Sequence, residues 1–137
     1  MKNYLWLILV SLTVSGCART DIQPLSKSSF KVATSAAQVC GSSGARLVAN
    51  QAAAIQVVRM GGDRFIFVSD QGGTELQGIY YDQYSGFQTI NRNNQSMVVQ
   101  MISKGQPNYN DALSAREILG PDWQEKAAKG IPLTCTN

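Results

Sequence analysis

The first seventeen residues constrain this chain most, because they decide which part of it folds and in which compartment. Lys2 precedes an apolar run from Tyr4 to Val14, and two small residues then lead to Cys17. A cation, a short apolar core and small residues before a cleavage point are typical of a secretory signal peptide. Because a cysteine follows the small pair, the sequence V-S-G-C indicates a bacterial lipobox. We expect residues 1–16 to be removed and the Cys17 sulfur to carry a diacylglyceryl group.

Two alternatives are an uncleaved transmembrane anchor and an ordinary cleaved signal. The apolar run spans eleven residues, whereas about 20 are needed to cross the core of a bilayer. We therefore predict a lipoprotein held in a membrane by acyl chains, such as palmitate, on Cys17. More than one chain is needed for durable anchoring. Residue 18 is alanine, not the aspartate that commonly retains such proteins at the inner membrane of enteric bacteria. This favours the outer membrane, with the protein facing the periplasm.

Charge and composition exclude several classes of function. The sequence has twelve Lys or Arg and nine Asp or Glu, a formal net charge of +3. Its basic residues are scattered rather than grouped in a stripe that follows phosphates, so we expect no nucleic-acid partner. The chain has no histidine, which removes the Ser–His and Cys–His nucleophiles and imidazole metal ligands. We predict a protein that is not an enzyme and has no catalytic residue, metal or cofactor.

The two remaining cysteines, Cys40 and Cys135, form an even pair in an oxidising compartment. A free-thiol nucleophile would need a base partner and a metal site would need more ligands nearby, and the sequence offers neither. We therefore predict a Cys40–Cys135 disulfide. Such a bond closes a loop of roughly 95 residues and stabilises the fold by about 4–5 kcal/mol on the chain-entropy model.

Residues 17–29 are polar and include Pro24, and they predict a flexible tether that precedes one domain over 30–137. Alternation from Phe30 to Thr34 predicts a half-buried strand, and apolar residues three to four apart predict a helix over 44–60 that ends at a glycine pair. The other predicted strands are 64–69, 76–81, 86–91 and 97–102, with turns at 72–73, 84–86 and 93–94. The other predicted helices run from a cap at Asn110 or Asp111 to Gly120 and from Pro121 to Lys129.

The order of these elements is strand, helix, several strands and then helices. It predicts an α+β fold, with a small sheet of about four or five strands. The amphipathic helix and the C-terminal helices pack largely on one face of that sheet. The length is enough for one small domain and too little for two.

Several polar residues have two possible interpretations, as functional sites or as residues with structural roles. The glycine-rich turn at 41–44 precedes a helix and is able to bind an anion, but it lacks the lysine and spacing of a Walker loop. Asp63 and Arg64 stand between a helix and a strand, where turn hydrogen bonds are the structural alternative. Asp70, Glu75 and Asp82 are separated by polar sequence, so nothing pairs them for hydrolysis. We expect structural roles for all of these.

Aromatic residues concentrate in a polar, glycine-rich segment. Aromatic side chains in such segments give large contact areas at low entropic cost, although some of them are able to pack on the sheet instead. Trp123 is predicted to cover the core rather than bind a ligand. The predicted interaction surface consists of Tyr80, Tyr81, Tyr84 and Phe87, within 76–91.

Two motifs carry a resemblance to a known group of proteins. An alanine-rich helix containing Ala52 leads into a Gly-x-Asp-x-Phe pattern that begins at Gly61, and the segment from Asn110 to Leu119 resembles a closing Ala-Arg-Glu helix. These motifs are similar to those of small bacterial envelope lipoproteins of largely unknown function. In those families an aromatic residue usually stands where this chain has Gly62. The resemblance covers about 30–69 and 97–129, and it implies an envelope lipoprotein domain without catalytic residues.

These observations predict an outer-membrane-anchored periplasmic lipoprotein with a non-enzymatic structural or protein-interaction role. It contacts membrane lipid through acylated Cys17 and an unidentified envelope protein through 76–91. The alternative is an envelope-stress or secretion-machine accessory factor. A third hypothesis is a hydrolase that uses carboxylates such as those of Asp63 or Asp82.

Overall fold

A computed structural model describes residues 17–84 and 86–135, with the side chains of 75–82 and 86–90 outside the description. The predicted signal peptide, 1–16, lies outside the described residues. The elements, in chain order, are β1 (Ala18–Pro24), β2 (Ser29–Ala37), a turn of 3₁₀ helix (Gln38–Cys40), α1 (Gly41–Arg59), β3 (Arg64–Asp82), β4 (Gly86–Ile102), β5 (Leu113–Ser114), α2 (Ala115–Leu119) and α3 (Trp123–Lys129).

One antiparallel sheet contains all five described strands, in the order β1-β2-β4-β3-β5. Side chains along β2 alternate between buried and half-buried, because successive residues of a strand point to opposite faces. The buried residues of β2, such as Phe30 and Val32, belong to the core shared with α1. The predicted α+β fold, with a sheet of four or five strands, is confirmed.

The core lies between α1 and the covered face of the sheet. Phe30 and Phe65 are almost fully buried there, and each such side chain contributes about 1.5–3 kcal/mol relative to an exposed one. The helix meets the sheet through alanines that have no exposed surface: Ala49, Ala52, Ala53 and Ala54. Small side chains allow the helix axis to approach the strands closely, as the alanine-rich sequence predicts.

The glycine pair that follows α1 ends the helix, as predicted. Gly61 has φ +79°, in the left-handed region that glycine adopts at little steric cost. Its N–H donates to the Val58 carbonyl at 3.0 Å, and the Gly62 N–H donates to the Val57 carbonyl at 2.9 Å. These bonds pair the last carbonyls of the helix and turn the chain toward β3.

The prediction of a flexible tether over 17–29 is wrong for 18–24, which form the edge strand β1. Ala18 is buried and Ile22 packs against the core. These two apolar residues lie on the same face of β1 and hold the strand against the core. Thr20 and Thr34 also share a side-chain hydrogen bond of 2.8 Å across β1 and β2. Backbone pairing with β2 also orders the strand, and a polar sequence does not reveal this pairing.

The turns predicted at 72–73 and 93–94 are also wrong, because both segments lie inside long strands. β3 and β4 pair continuously from Arg64–Ile102 to Asp82–Gly86, apart from two register shifts. The strands predicted at 76–81 and 86–91 are the distal parts of this hairpin. Glycine and asparagine are tolerated here because Gly72 and Gly73 pair directly with β4 and the ladder hydrogen bonds outweigh local turn preference.

The first C-terminal helix begins later than predicted, at Ala115 rather than after Asn110 or Asp111. Ser114 is the cap, and its hydroxyl accepts from the Glu117 N–H at 3.4 Å. The preceding residues are used in β5, which pairs with the start of β3. The predicted ends at Gly120 and Gly130 are confirmed, since each follows its helix with a positive φ.

A disulfide joins Cys40 to Cys135 across 95 residues of sequence, with 5.7 Å between the two Cα atoms. The predicted pairing is thus confirmed. It ties the start of α1 to the C-terminal segment. That segment contacts β1 in turn, because the Leu133 carbonyl accepts from the Ala18 N–H at 2.8 Å.

Removal of this bond tests its contribution to stability. We expect the double variant Cys40→Ala/Cys135→Ala to lose about 4–5 kcal/mol of unfolding free energy, because the unfolded chain regains the entropy of a long open loop. Chemical denaturation of the oxidised protein and of the variant measures the difference, with the wild-type protein under reductant as a matched control. Equal midpoints in all three samples would contradict the prediction.

Candidate functional site

Three cysteines meet at one end of the sheet, which we call the cysteine end and define by Cys17, Cys40 and Cys135. Cys17 is exposed, and its carbonyl accepts from the Ala37 N–H at 2.9 Å. It also forms a β-bridge with Thr134, next to the disulfide. Residue 17 is therefore part of the folded backbone, and β1 begins with the residue that follows it.

The glycine-rich turn at 41–44 belongs to the same end and packs against the disulfide. A Cβ at Gly44 would lie 3.0 Å from the Cys40 Cβ and 3.4 Å from the Cys135 Cβ. Glycine is thus needed for this close approach. The structural interpretation accounts for the turn without a bound anion.

Exposed apolar side chains surround the cysteine end. Val39, in the turn before Cys40, is 63% exposed, and Leu133, two residues before Cys135, is 75% exposed. Leu47 of α1 is 43% exposed, and it lines the same groove as Thr134 and Cys135. Large exposed apolar side chains near one structural feature indicate an interaction surface.

A two-stranded arm extends beyond the cysteine end. Ala37 of β2 pairs with Arg92 of β4, which pairs with Glu75 of β3, and this is the last row shared by three strands. Beyond it only β3 and β4 continue, over 76–82 and 86–91, which we call the arm. Six further pairs extend it by about 20 Å. Within the described residues, no other strand pairs with either edge of the arm.

The predicted interaction surface lies on this arm. Tyr84 is in its turn and is 90% exposed. The backbones of Tyr80 and Tyr81 belong to β3 and that of Phe87 to β4, whereas their side chains lie outside the described residues. The structure thus brings the four positions to one projecting hairpin, and a role in binding stays a prediction.

The carboxylate of Asp63 contacts residues of the loop before α2 and of α2 itself. Its Oδ2 accepts from the Tyr109 hydroxyl at 3.2 Å, and its Oδ1 lies 3.8 Å from the Arg116 Nε. Arg64 donates to the Ala112 carbonyl at 3.0 Å and lies over the Tyr109 ring. Both residues thus have structural contacts, although Asp63 bonds two side chains rather than the turn amides predicted for it. The side chains of Glu75 and Asp82 lie outside the described residues.

Trp123 packs against the core, and the Arg116 guanidinium lies 4.5 Å from its ring centre. This is the covering role predicted for it. Two other charged pairs lie on α3 at a spacing of four residues. A hydrogen bond from Lys126 lowers the pKa of the Asp122 carboxyl, and a hydrogen bond to Glu125 raises the pKa of Lys129. Both pairs support the exposed face of a short helix.

A polar cluster joins the amino-terminal half of α1 to β3 and β4, and the sequence did not predict it. We define it as Arg46, Asp70 and Gln95. Arg46 forms an ion pair of 3.0 Å with Asp70, which also accepts a hydrogen bond from the Gln95 side chain. Gln95 is 3% exposed, so it depends on this partner. The signal in the sequence is the alternation that places Gln95 on the same face as Met97.

A groove of about 660 Å³ runs along α1 beside α3 and the C-terminal segment. Its apolar lining includes Ile55, Leu119 and Ile131, and none of its described lining residues is a carboxylate. Among the residues that the structure describes, no group of three or more His, Cys, Asp or Glu is placed to hold a metal. The groove offers apolar contact rather than paired acids.

Comparison with known proteins gives no relative: no family model, curated protein or solved structure matches this chain. The resemblance to small envelope lipoproteins therefore stays a prediction. In 17–84 and 86–135, no helix is both long and apolar enough to cross a membrane. What this end can do follows from its own geometry, which combines an exposed cysteine, apolar neighbours and a projecting arm.

Two neighbouring glycines provide a matched test of the polar cluster. A Cβ at Gly72 would lie 2.8 Å from the Gln95 Oε1, whereas a Cβ at Gly73 meets nothing within 4 Å. We expect Gly72→Ala to cost about 1–2 kcal/mol, because Gln95 must move away from Asp70. Gly73→Ala is expected to stay within about 0.5 kcal/mol of wild type. Urea denaturation compares them, and equal stabilities would show that the cluster tolerates displacement of Gln95.

Proposed function

We propose that this chain is a lipoprotein anchored through acylated Cys17 in the outer membrane, facing the periplasm. Its role there is non-enzymatic, and it binds another envelope component through the arm. The lipobox motif that ends at Cys17 is the sequence basis of the proposal. Cys17 is also exposed, directly before β1, which is the observation that carries it.

The disulfide supports the proposed compartment. Disulfides persist in secreted and periplasmic proteins and are rare in the reducing cytosol. Cys40 and Cys135 are bonded in the fold. Export by a signal peptide provides the oxidising surroundings that this bond needs.

The arm supports a binding role. Among the described strands, none but β3 and β4 pairs along the arm, and sheet edges of this kind accept a further strand from a partner. Tyr84 adds a 90% exposed ring at the turn, a side chain that gives large contact area with few rotatable bonds. By contrast, Asp63 is engaged by Tyr109 and Arg116, which gives the hydrolase hypothesis no support.

Lipidation is tested by expressing the full chain in a bacterium and extracting it from membranes. The intact mass is expected to equal that of the chain from Cys17 plus its acyl groups. Cys17→Ser is expected to lose both the lipid mass and the membrane fraction. Cys40→Ala/Cys135→Ala is the matched control. It should keep both the lipid mass and the membrane fraction, since the two cysteines that it removes carry no lipid. An unchanged membrane fraction for Cys17→Ser, with no lipid mass on wild type, would reject the anchor.

Binding through the arm is tested with a photoreactive amino acid in intact cells. We expect a discrete crosslinked product from position 84 and none from position 68, because Val68 is 64% exposed but lies outside the arm. Tyr84→Ala is expected to keep the unfolding free energy within about 0.5 kcal/mol of wild type, as is usual for exposed side chains. Identical crosslinking from both positions, or a large loss of stability, would argue against a binding role for the ring.

A further inference from the structure

We propose that the cysteine end lies directly against the surface of a phospholipid bilayer, with Val39 and Leu133 in the headgroup region. The inference rests on the proposed acylation of Cys17, and it adds which surface of the domain faces the membrane. The partner it names is the lipid surface itself. Three independent features of the cysteine end support it.

The first feature is that no flexible linker separates the proposed lipid anchor on Cys17 from the domain. The Cys17 carbonyl is bonded to Ala37, its backbone is bridged to Thr134, and β1 begins at Ala18. A flexible tether over 17–29 would have allowed a separation of about 20 Å. With Cys17 held in the fold, its neighbours stay within a few residue lengths of the glyceryl group, at about 3.5 Å per residue.

The second feature is the set of exposed apolar side chains at this end. Val39 and Leu133 are 63% and 75% exposed, and each lies within two residues of a disulfide cysteine. Single exposed apolar residues are ordinary on soluble proteins. Here they flank the one residue that is expected to carry hydrocarbon. Burial of these side chains among lipid headgroups removes apolar surface from water, which stabilises contact with the bilayer.

The third feature is charge. The three segments that build the cysteine end, 17–20, 36–47 and 131–135, contain no Asp or Glu, and they contribute Arg19 and Arg46. Arg19 is exposed, whereas Arg46 is paired with Asp70. α1 also begins here, so its partially positive amino terminus lies at the same end. An exposed arginine and a partially positive helix terminus fit a surface of anionic phospholipid.

The arm sets the tilt of the domain on the bilayer. β4 lies two strands from β1, about 10 Å across the sheet, and the arm extends about 20 Å beyond the cysteine end. A membrane that touches both Cys17 and the arm therefore runs obliquely to the strands. Val68 is at the opposite end of the sheet, in the rows that contain Phe30, and stays roughly 20 Å from the lipid.

The test places a single tryptophan at chosen sites in the mature, lipidated protein. Val39→Trp, Leu133→Trp and Val68→Trp are each made in a Trp123→Phe background. The proteins are reconstituted in vesicles of phosphatidylglycerol and phosphatidylcholine whose acyl chains are brominated near the headgroup. Val39→Trp and Val68→Trp are matched, because the native side chains are 63% and 64% exposed. Intact mass and vesicle flotation are measured on every preparation.

We expect strong bromolipid quenching and a blue-shifted emission for Val39→Trp and Leu133→Trp, and neither for Val68→Trp. Two substituted sites guard against one variant that fails to fold. If the protein carries its lipid and floats with the vesicles but all three emissions are quenched equally or not at all, the membrane-facing surface is refuted and the anchor stands. If Cys17 carries no lipid, the proposed function and this inference both fail.

Discussion

The Cys40–Cys135 disulfide holds together the parts of the chain that determine how Cys17 is presented. It joins the start of α1 to the C-terminal segment, and that segment in turn pairs with Cys17 and Ala18. β1 is an edge strand with few buried side chains, so its order depends on these neighbours and on β2. A loop of this length gives the cross-link a large share of the stability that a small domain has.

α1 rests on two chemically different parts of the sheet. Its carboxyl-terminal half packs on apolar side chains such as Phe65, whereas its amino-terminal half covers Gln95 and Thr34, both nearly fully buried. Buried polar groups stabilise a fold only when they are hydrogen-bonded. Asp70 and Thr20 provide those bonds. The amino-terminal half also buries Ala45 and Val48 in a cluster with Ala18 and Ala36, so it combines polar and apolar contacts.

The sequence predicted the features that depend on local chemistry. The α1 stop follows from glycine at 61, the disulfide follows from an even cysteine pair, and the α+β class follows from the order of periodic segments. It failed where pairing across the sheet outweighs local preference. Gly72 is a turn residue by composition, yet it faces Gln95 inside a strand. The polar stretch after Cys17 predicts a flexible tether, yet pairing with β2 makes it the strand β1. Only the partner strand decides such cases, and a single sequence does not reveal the partner.

The short distance between Cys17 and β1 has a consequence for how the proposed lipoprotein meets a partner. A domain joined to its anchor by a long flexible linker explores a volume above its membrane. A domain without such a linker diffuses in the plane of the membrane with a nearly fixed orientation. Encounters then depend on the surface density of the partner rather than on its bulk concentration. Geometry decides whether the lipid anchor and the arm can both be engaged at once. A partner of the arm must itself expose its binding edge within about 20 Å of the lipid surface. Insertion of a flexible linker after Cys17 would therefore change which molecules this hairpin is able to reach, at the cost of the contacts that Cys17 makes with Ala37 and Thr134.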